Sequence, residues 1–133
     1  MKARRLLVPC AALFAAGCAG VGDPWQAAQT HAADATIGSR SLVRTHYAID
    51  DDCQPLPLPA IALSEQAPNG TLSAEETTAI VSAPGTECDG ASVPAVGIFY
   101  RPMGPAGIDE ISYVEIAGAP QPDIVHTVMV RVR

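Results

Sequence analysis

Over most of its second half the chain alternates apolar and polar positions with a period of two, and no stretch there repeats the spacing of a long amphipathic helix. In residues 124–132, His126, Val128, Val130 and Val132 fall on one side and Thr127, Met129 and Arg131 on the other, which predicts a strand with its first side buried. The same alternation predicts strands over residues 42–49, 96–101 and 111–116. Residues 56–63 form a further candidate, but Pro55, Pro57 and Pro59 lack ladder donors and confine its start to a sheet edge or to the region outside the sheet. Asn69-Gly70 is a turn signal. Short strands are expected at residues 71–72 and 77–83. Between them Ser73 and Glu76 have the spacing of a capping box, which predicts a brief helical turn. About seven short strands separated by frequent turns predict an all-β, antiparallel β-sandwich.

The N-terminus follows another pattern. Lys2, Arg4 and Arg5 precede an apolar run from Leu6 to Ala16, which ends in the small residues Ala15, Ala16 and Gly17 before Cys18. This is the layout of an export signal. The run is too short to cross a bilayer of roughly 30 Å, which takes about 20 helical residues. Ala16-Gly17-Cys18 resembles the lipobox of bacterial lipoproteins. That resemblance implies removal of residues 1–17, a diacylglyceryl thioether on Cys18 and a membrane anchor. Ala15 stands where the family usually carries Leu, and Leu13 lies two positions early. Cleavage as an ordinary secretory signal, beside Ala15 and Gly17 or Gly17 and Ala19, is the competing reading. Ala19 stands where an inner-membrane retention signal would place Asp, so in a Gram-negative cell the resemblance implies the outer membrane.

Loss of the signal leaves five Arg, no Lys and fourteen acidic residues, a formal charge of −9. Such a chain repels nucleic acid and anionic lipid head groups. Residues 18–40, rich in Ala, Gly, Gln and Thr and containing the sole tryptophan, Trp25, are expected to be a flexible tether; the folded domain is then 41–133. Within that domain only Cys53 and Cys88 carry sulfhydryls, and in an exported chain the pair predicts a disulfide. A zinc site is disfavoured because no histidine lies near either thiol.

The segment Ile98-Phe99-Tyr100-Arg101-Pro102, followed by Gly104, Gly107, Asp109, Ile111 and Tyr113, resembles the closing strands of bacterial Ig-like and cadherin-like domains. Pro68-Asn69-Gly70-Thr71-Leu72 resembles a turn that begins a strand in the same domains. The resemblance spans residues from about 45 to 117 and implies structural roles. Gly104 and Gly107 would permit positive φ. Asp109 would accept hydrogen bonds from loop amides, and Tyr113 would tie its hydroxyl to upstream backbone as in a tyrosine corner. Glu115 stands where antibody domains carry a core cysteine, and the usual core tryptophan is missing, so Cys53–Cys88 would be a different staple.

Neither a catalytic nor a cofactor constellation emerges. His31, His46 and His126 fall in the tether, the first strand and the last. Pairing one of them with Ser41 or Ser92 would lack both a nucleophile elbow and a group to orient the base. No metal site is assigned. Asp50-Asp51-Asp52 suggests Ca²⁺, but nothing in the pattern supplies the six to eight oxygens that ion takes, and a solvated turn is the simpler reading. The expectation is a non-enzymatic, envelope-anchored domain, without cofactor, that contacts an envelope or extracellular protein. The alternative is a secreted module for a small ligand, a glycan or calcium.

Overall fold

The computed structural model describes residues 26–63, 67–118 and 120–133. The signal segment 1–17, Cys18, the first part of the tether and Trp25 lie outside the described residues. The described chain is all-β: β1 (Gln26–Ala35), β2 (Ser41–His46), β3 (Ala60–Ala62), β4 (Gly70–Ile80), β5 (Ser92–Pro102), β6 (Gly107–Ile116) and β7 (Asp123–Val132). They form a four-stranded sheet, ordered β1-β7-β6-β3, and a three-stranded sheet, ordered β2-β5-β4. All the named pairings are antiparallel except β1 with β7.

One core joins the two sheets. Val43, Leu72, Val96, Ile98 and Tyr100 from the smaller sheet pack with Ile111, Tyr113, Val128, Val130 and Val132 from the larger. The side of β7 expected to be buried is buried: Val128, Val130 and Val132 join the core between the sheets and gain the hydrophobic transfer free energy, and His126 is buried beside them as a polar group. A smaller cluster of Val81, Cys88 and Val93 sits under Tyr47, Ile49 and Cys53. There the Cys53–Cys88 disulfide links the turn after β2 to the turn before β5.

Three expectations need correction. Residues 26–35 are the edge strand β1 and not a tether, in register with β7 from Gln26↔Asp123 to Ala35↔Val132. Their composition concealed this. An edge strand of small side chains buries little apolar area, and its stability comes from backbone pairing with a strand far away in sequence. The Ser73–Glu76 segment is not helical but lies inside a continuous β4, whose eleven residues all pair with β5; that ladder satisfies more backbone groups than one helical turn would. The strand expected over residues 56–63 shrinks to Ala60–Ala62, since it begins only after the last of the three prolines.

In β2 strict alternation fails. The register shifts between Leu42 and Arg44, leaving Val43 as the extra residue of a bulge. Leu42 therefore lies opposite Phe99 on the outer face, whereas Arg44 and His46 lie opposite Ile98 and Val96, two residues of the core side.

Candidate functional site

Two polar clusters lie between the sheets. The first is built from the motif residues. Tyr100, fully buried on β5, donates its hydroxyl to Asp109 Oδ2 at 2.6 Å, and Asn69 Nδ2 donates to Asp109 Oδ1 at 3.3 Å. Burial, and then the Asp109 carboxylate, hold the Tyr100 hydroxyl well above the usual phenol range. Asp109 thus takes side-chain donors, not the loop amides expected of it. Gly70 closes the cluster, because a Cβ there would stand 2.5 Å from the Arg101 carbonyl and 2.6 Å from the Tyr100 ring. Pro102 ends β5, and positive φ is taken by Gly104, at 94° in the loop that follows, and by Gly107, at 145° where β6 begins.

The second cluster contains residues that no local motif connects. β6 turns Asp109, Ile111, Tyr113 and Glu115 inward by alternation, and β7 places His126 directly opposite Tyr113. The β2 bulge turns His46 toward them, and β1 brings His31. Glu115 Oε2 lies 2.8 Å from His126 Nε2 and 3.4 Å from His46 Nδ1. The outer nitrogens are also held: Tyr113 Oη lies 2.6 Å from His46 Nε2, and His31 Nε2 lies 2.9 Å from His126 Nδ1. The His126 ring stacks on Tyr113 at 5.0 Å between centroids.

One assignment of hydrogens satisfies every contact. His126 Nε2–H donates to Glu115 Oε2, Tyr113 O–H donates to His46 Nε2, and His31 Nε2–H donates to His126 Nδ1, which leaves the hydrogen of His46 Nδ1 facing the same carboxylate oxygen at the longer distance of 3.4 Å. Burial lowers His46 to about 4, and the Glu115 carboxylate offsets this only in part. Burial also lowers His31, with Arg44 and His126 adding to the effect. Burial raises the Tyr113 hydroxyl above the usual phenol range. His31 and His46, both held below the ordinary imidazole range, are therefore neutral near pH 7. Arg44, paired with Ile98 of β5 and exposed, is the nearby positive charge.

Access to the cluster is one-sided. His46 and His126 are 7% and 2% exposed, but Glu115 is 21% exposed and lines an open cleft of about 300 Å³ with Tyr47, Pro57, Leu58, Pro59 and Ile116. The donor atoms of His46, Glu115 and His126 all lie within 4.8 Å of one another, which is the compass of a single bound ion. Sequence reasoning placed the three histidines in three separate segments and gave Glu115 no role. The available signal was that His126 and Glu115 occupy inward positions of two strands, where a polar residue demands a partner.

The remaining candidates have structural explanations. Asp50 Oδ1 accepts the amides of Asp52 and Gln54, so the acidic run is an Asx-type turn whose oxygen is already engaged. Asp89 Oδ1 accepts the Ala83 amide in the turn that carries Cys88. Ser41 and Ser92 form no side-chain hydrogen bond with any described histidine. Tyr113 does not make a tyrosine corner, since His46 takes its hydroxyl.

The outer face of the three-stranded sheet offers a third feature. The Arg40 guanidinium lies 3.6 Å over the Phe99 ring and also pairs with Glu75. Beside it Leu42 is 51% exposed, and Arg40, Thr71, Ser73, Phe99 and Arg101 line a groove of about 170 Å³.

Comparisons of the chain with protein-family models, curated proteins and solved structures give no match.

Proposed function

We propose that this chain is an exported bacterial lipoprotein, held to the cell envelope through acylated Cys18, whose Ig-like sandwich works by contacting another protein and not by catalysis. The lipobox-like Ala16-Gly17-Cys18 supports the anchor, with the outer membrane as its site in a Gram-negative cell. The Cys53–Cys88 disulfide supports an oxidising compartment, where such bonds persist. The observation that carries the contact reading is the outer face of the β2-β5-β4 sheet. In a domain of strongly negative charge, Arg40, Phe99 and Arg101 gather around exposed Leu42, and Arg and aromatic residues are the types enriched at interface centres.

Two measurements test this. The intact mass of the protein from its native membrane fraction should match residues 18–133 plus acyl groups and gain two hydrogens on reduction; an unacylated mass beginning elsewhere overturns the anchor. A photo-crosslinker at Leu42 in the native envelope should give a discrete adduct that Phe99→Ala abolishes. An adduct pattern unchanged by Phe99→Ala overturns this face as the contact.

A further inference from the structure

The inter-sheet histidines have a feature that a merely space-filling polar network does not require. Each of the two buried rings presents one nitrogen to the Glu115 carboxylate and has its other nitrogen held by a separate partner. For His46 the partner is Tyr113 at 2.6 Å, and for His126 it is His31 at 2.9 Å. Metal-binding histidines are built this way, because the outer hydrogen bond fixes ring orientation and tautomer while the inner lone pair takes the ion. We propose that His46 Nδ1, His126 Nε2 and Glu115 Oε2 form the site of one first-row divalent transition-metal ion, of the Zn²⁺ or Cu²⁺ class, with Tyr113 and His31 as positioning residues.

The donor set selects the ion. Two imidazoles and one carboxylate suit Zn²⁺ and Cu²⁺, whereas Ca²⁺ and Mg²⁺ take shells of oxygen. The spacing is also close to what is needed. Donors about 2.0–2.1 Å from a tetrahedral ion stand about 3.4 Å apart. His46 Nδ1 is already 3.4 Å from Glu115 Oε2. His126 Nε2, at 2.8 Å, must withdraw by about half an ångström, as expected when an ion replaces a shared hydrogen.

The proton balance closes without a co-reactant. On binding, the hydrogen of each ligand ring moves from the ion-facing nitrogen to the outer one. His126 Nδ1–H then donates to His31 Nε2, and His46 Nε2–H donates to the Tyr113 oxygen; His31 carries its own hydrogen on Nδ1. Each hydrogen stays on its own ring, so the exchange of tautomers itself releases no net proton. Three protein donors leave a fourth position open for water or a small ligand, and Glu115 gives the ion a path in from the cleft beside Pro57 and Pro59. The ion would also join the sheets, since His46 belongs to the smaller and Glu115 and His126 to the larger.

This inference does not depend on lipidation or on a protein partner. It is tested on the full chain carrying Cys10→Ser and Cys18→Ser, so that no free thiol competes, after treatment with a chelator. Calorimetric titration with Zn²⁺ should give one equivalent with a Kd in the micromolar range or tighter, and Zn²⁺ at about 100 times its Kd should raise Tm by about 10 °C. Ca²⁺ should do neither. Co²⁺ should develop the absorption of a four-coordinate site with nitrogen ligands. Glu115→Gln should weaken Zn²⁺ binding roughly 100-fold and Tyr113→Phe roughly tenfold, while Asp50→Ala leaves it unchanged. If Glu115→Gln does not fold, Tyr113→Phe and the Co²⁺ spectrum carry the test. Zn²⁺ and Cu²⁺ that leave Tm unchanged, or Glu115→Gln binding as tightly as the parent, would mean a purely structural network and would overturn the proposal.

Discussion

The two polar clusters between the sheets use the same device in different chemistry. In each, a buried β-strand tyrosine spends its hydroxyl on a partner from another strand: Tyr100 on the Asp109 carboxylate, Tyr113 on the His46 imidazole. A carboxylate accepting from a phenol has one stable arrangement, with the hydrogen on the phenol and the charge on the acid. An imidazole has two, because either nitrogen can carry the hydrogen. The Tyr100 cluster is therefore a fixed clamp that joins the Asn69-Gly70 turn, β5 and β6. The Tyr113 cluster is a chain of groups whose hydrogens can be rearranged. Among the described residues no buried side-chain nitrogen or oxygen lacks a partner, so the difference lies in the kind of partner and not in how complete the pairing is.

The largest expected effect should fall on both clusters alike. The Cys53–Cys88 bond closes a loop with a sequence separation of 35. In the chain-entropy model its loss costs roughly 4 kcal/mol. Urea unfolding of the double Ser variant should show that loss while the response to Zn²⁺ at the Tyr113 cluster persists. Equal stability of the double Ser variant and the parent would rule out the bridge as a staple.

A smaller effect should separate the clusters. Asp109→Ala strands the hydroxyl of fully buried Tyr100 and should cost about 3 kcal/mol, again by urea unfolding, without changing the pH dependence that belongs to the histidines. A cost below about 1 kcal/mol would show that water or Asn69 replaces the carboxylate and that the clamp is not fixed.

The smallest effect belongs to the second cluster. His46 has its pKa lowered to about 4 in the fold, against about 6.5 in the unfolded chain. As pH falls from 6.5 toward 4 the unfolded chain takes up a proton that the fold refuses. Stability present above pH 6.5 should therefore decline through that window, by roughly 2 kcal/mol once the open side at Glu115 is allowed for. His31, lowered in the same direction, deepens the decline. The check is the urea midpoint between pH 7 and 4, with His46→Gln as the comparison. A decline that survives His46→Gln would assign it to other groups.

How legible these features were follows from the range of the forces behind them. The alternation in β7 announced its buried side because a strand with one face in the core must repeat every two residues. The glycines of the loop from Pro102 to Gly107 announced their positive φ, a property of the residue itself. The site was less legible. Asp109 and Tyr113 were singled out, but their partners, Tyr100 and His46, are supplied by other strands. Glu115 looked like a substitution at a core position, and its role appears only once β2 and β7 lie beside β6.

By itself the sequence determined the all-β class, the two cysteines that pair and the buried side of the last strand. These rest on side-chain type and on spacing over a few residues. Tertiary structure alone decided that residues 26–35 are a strand, that β2 bulges to turn His46 inward, and that His31, His46, Glu115 and His126 meet. The physical reason is that backbone pairing is blind to side-chain type: β1 is held by β7, some 97 residues away, through amides that every residue possesses, and the histidine cluster assembles wherever that pairing brings its strands together.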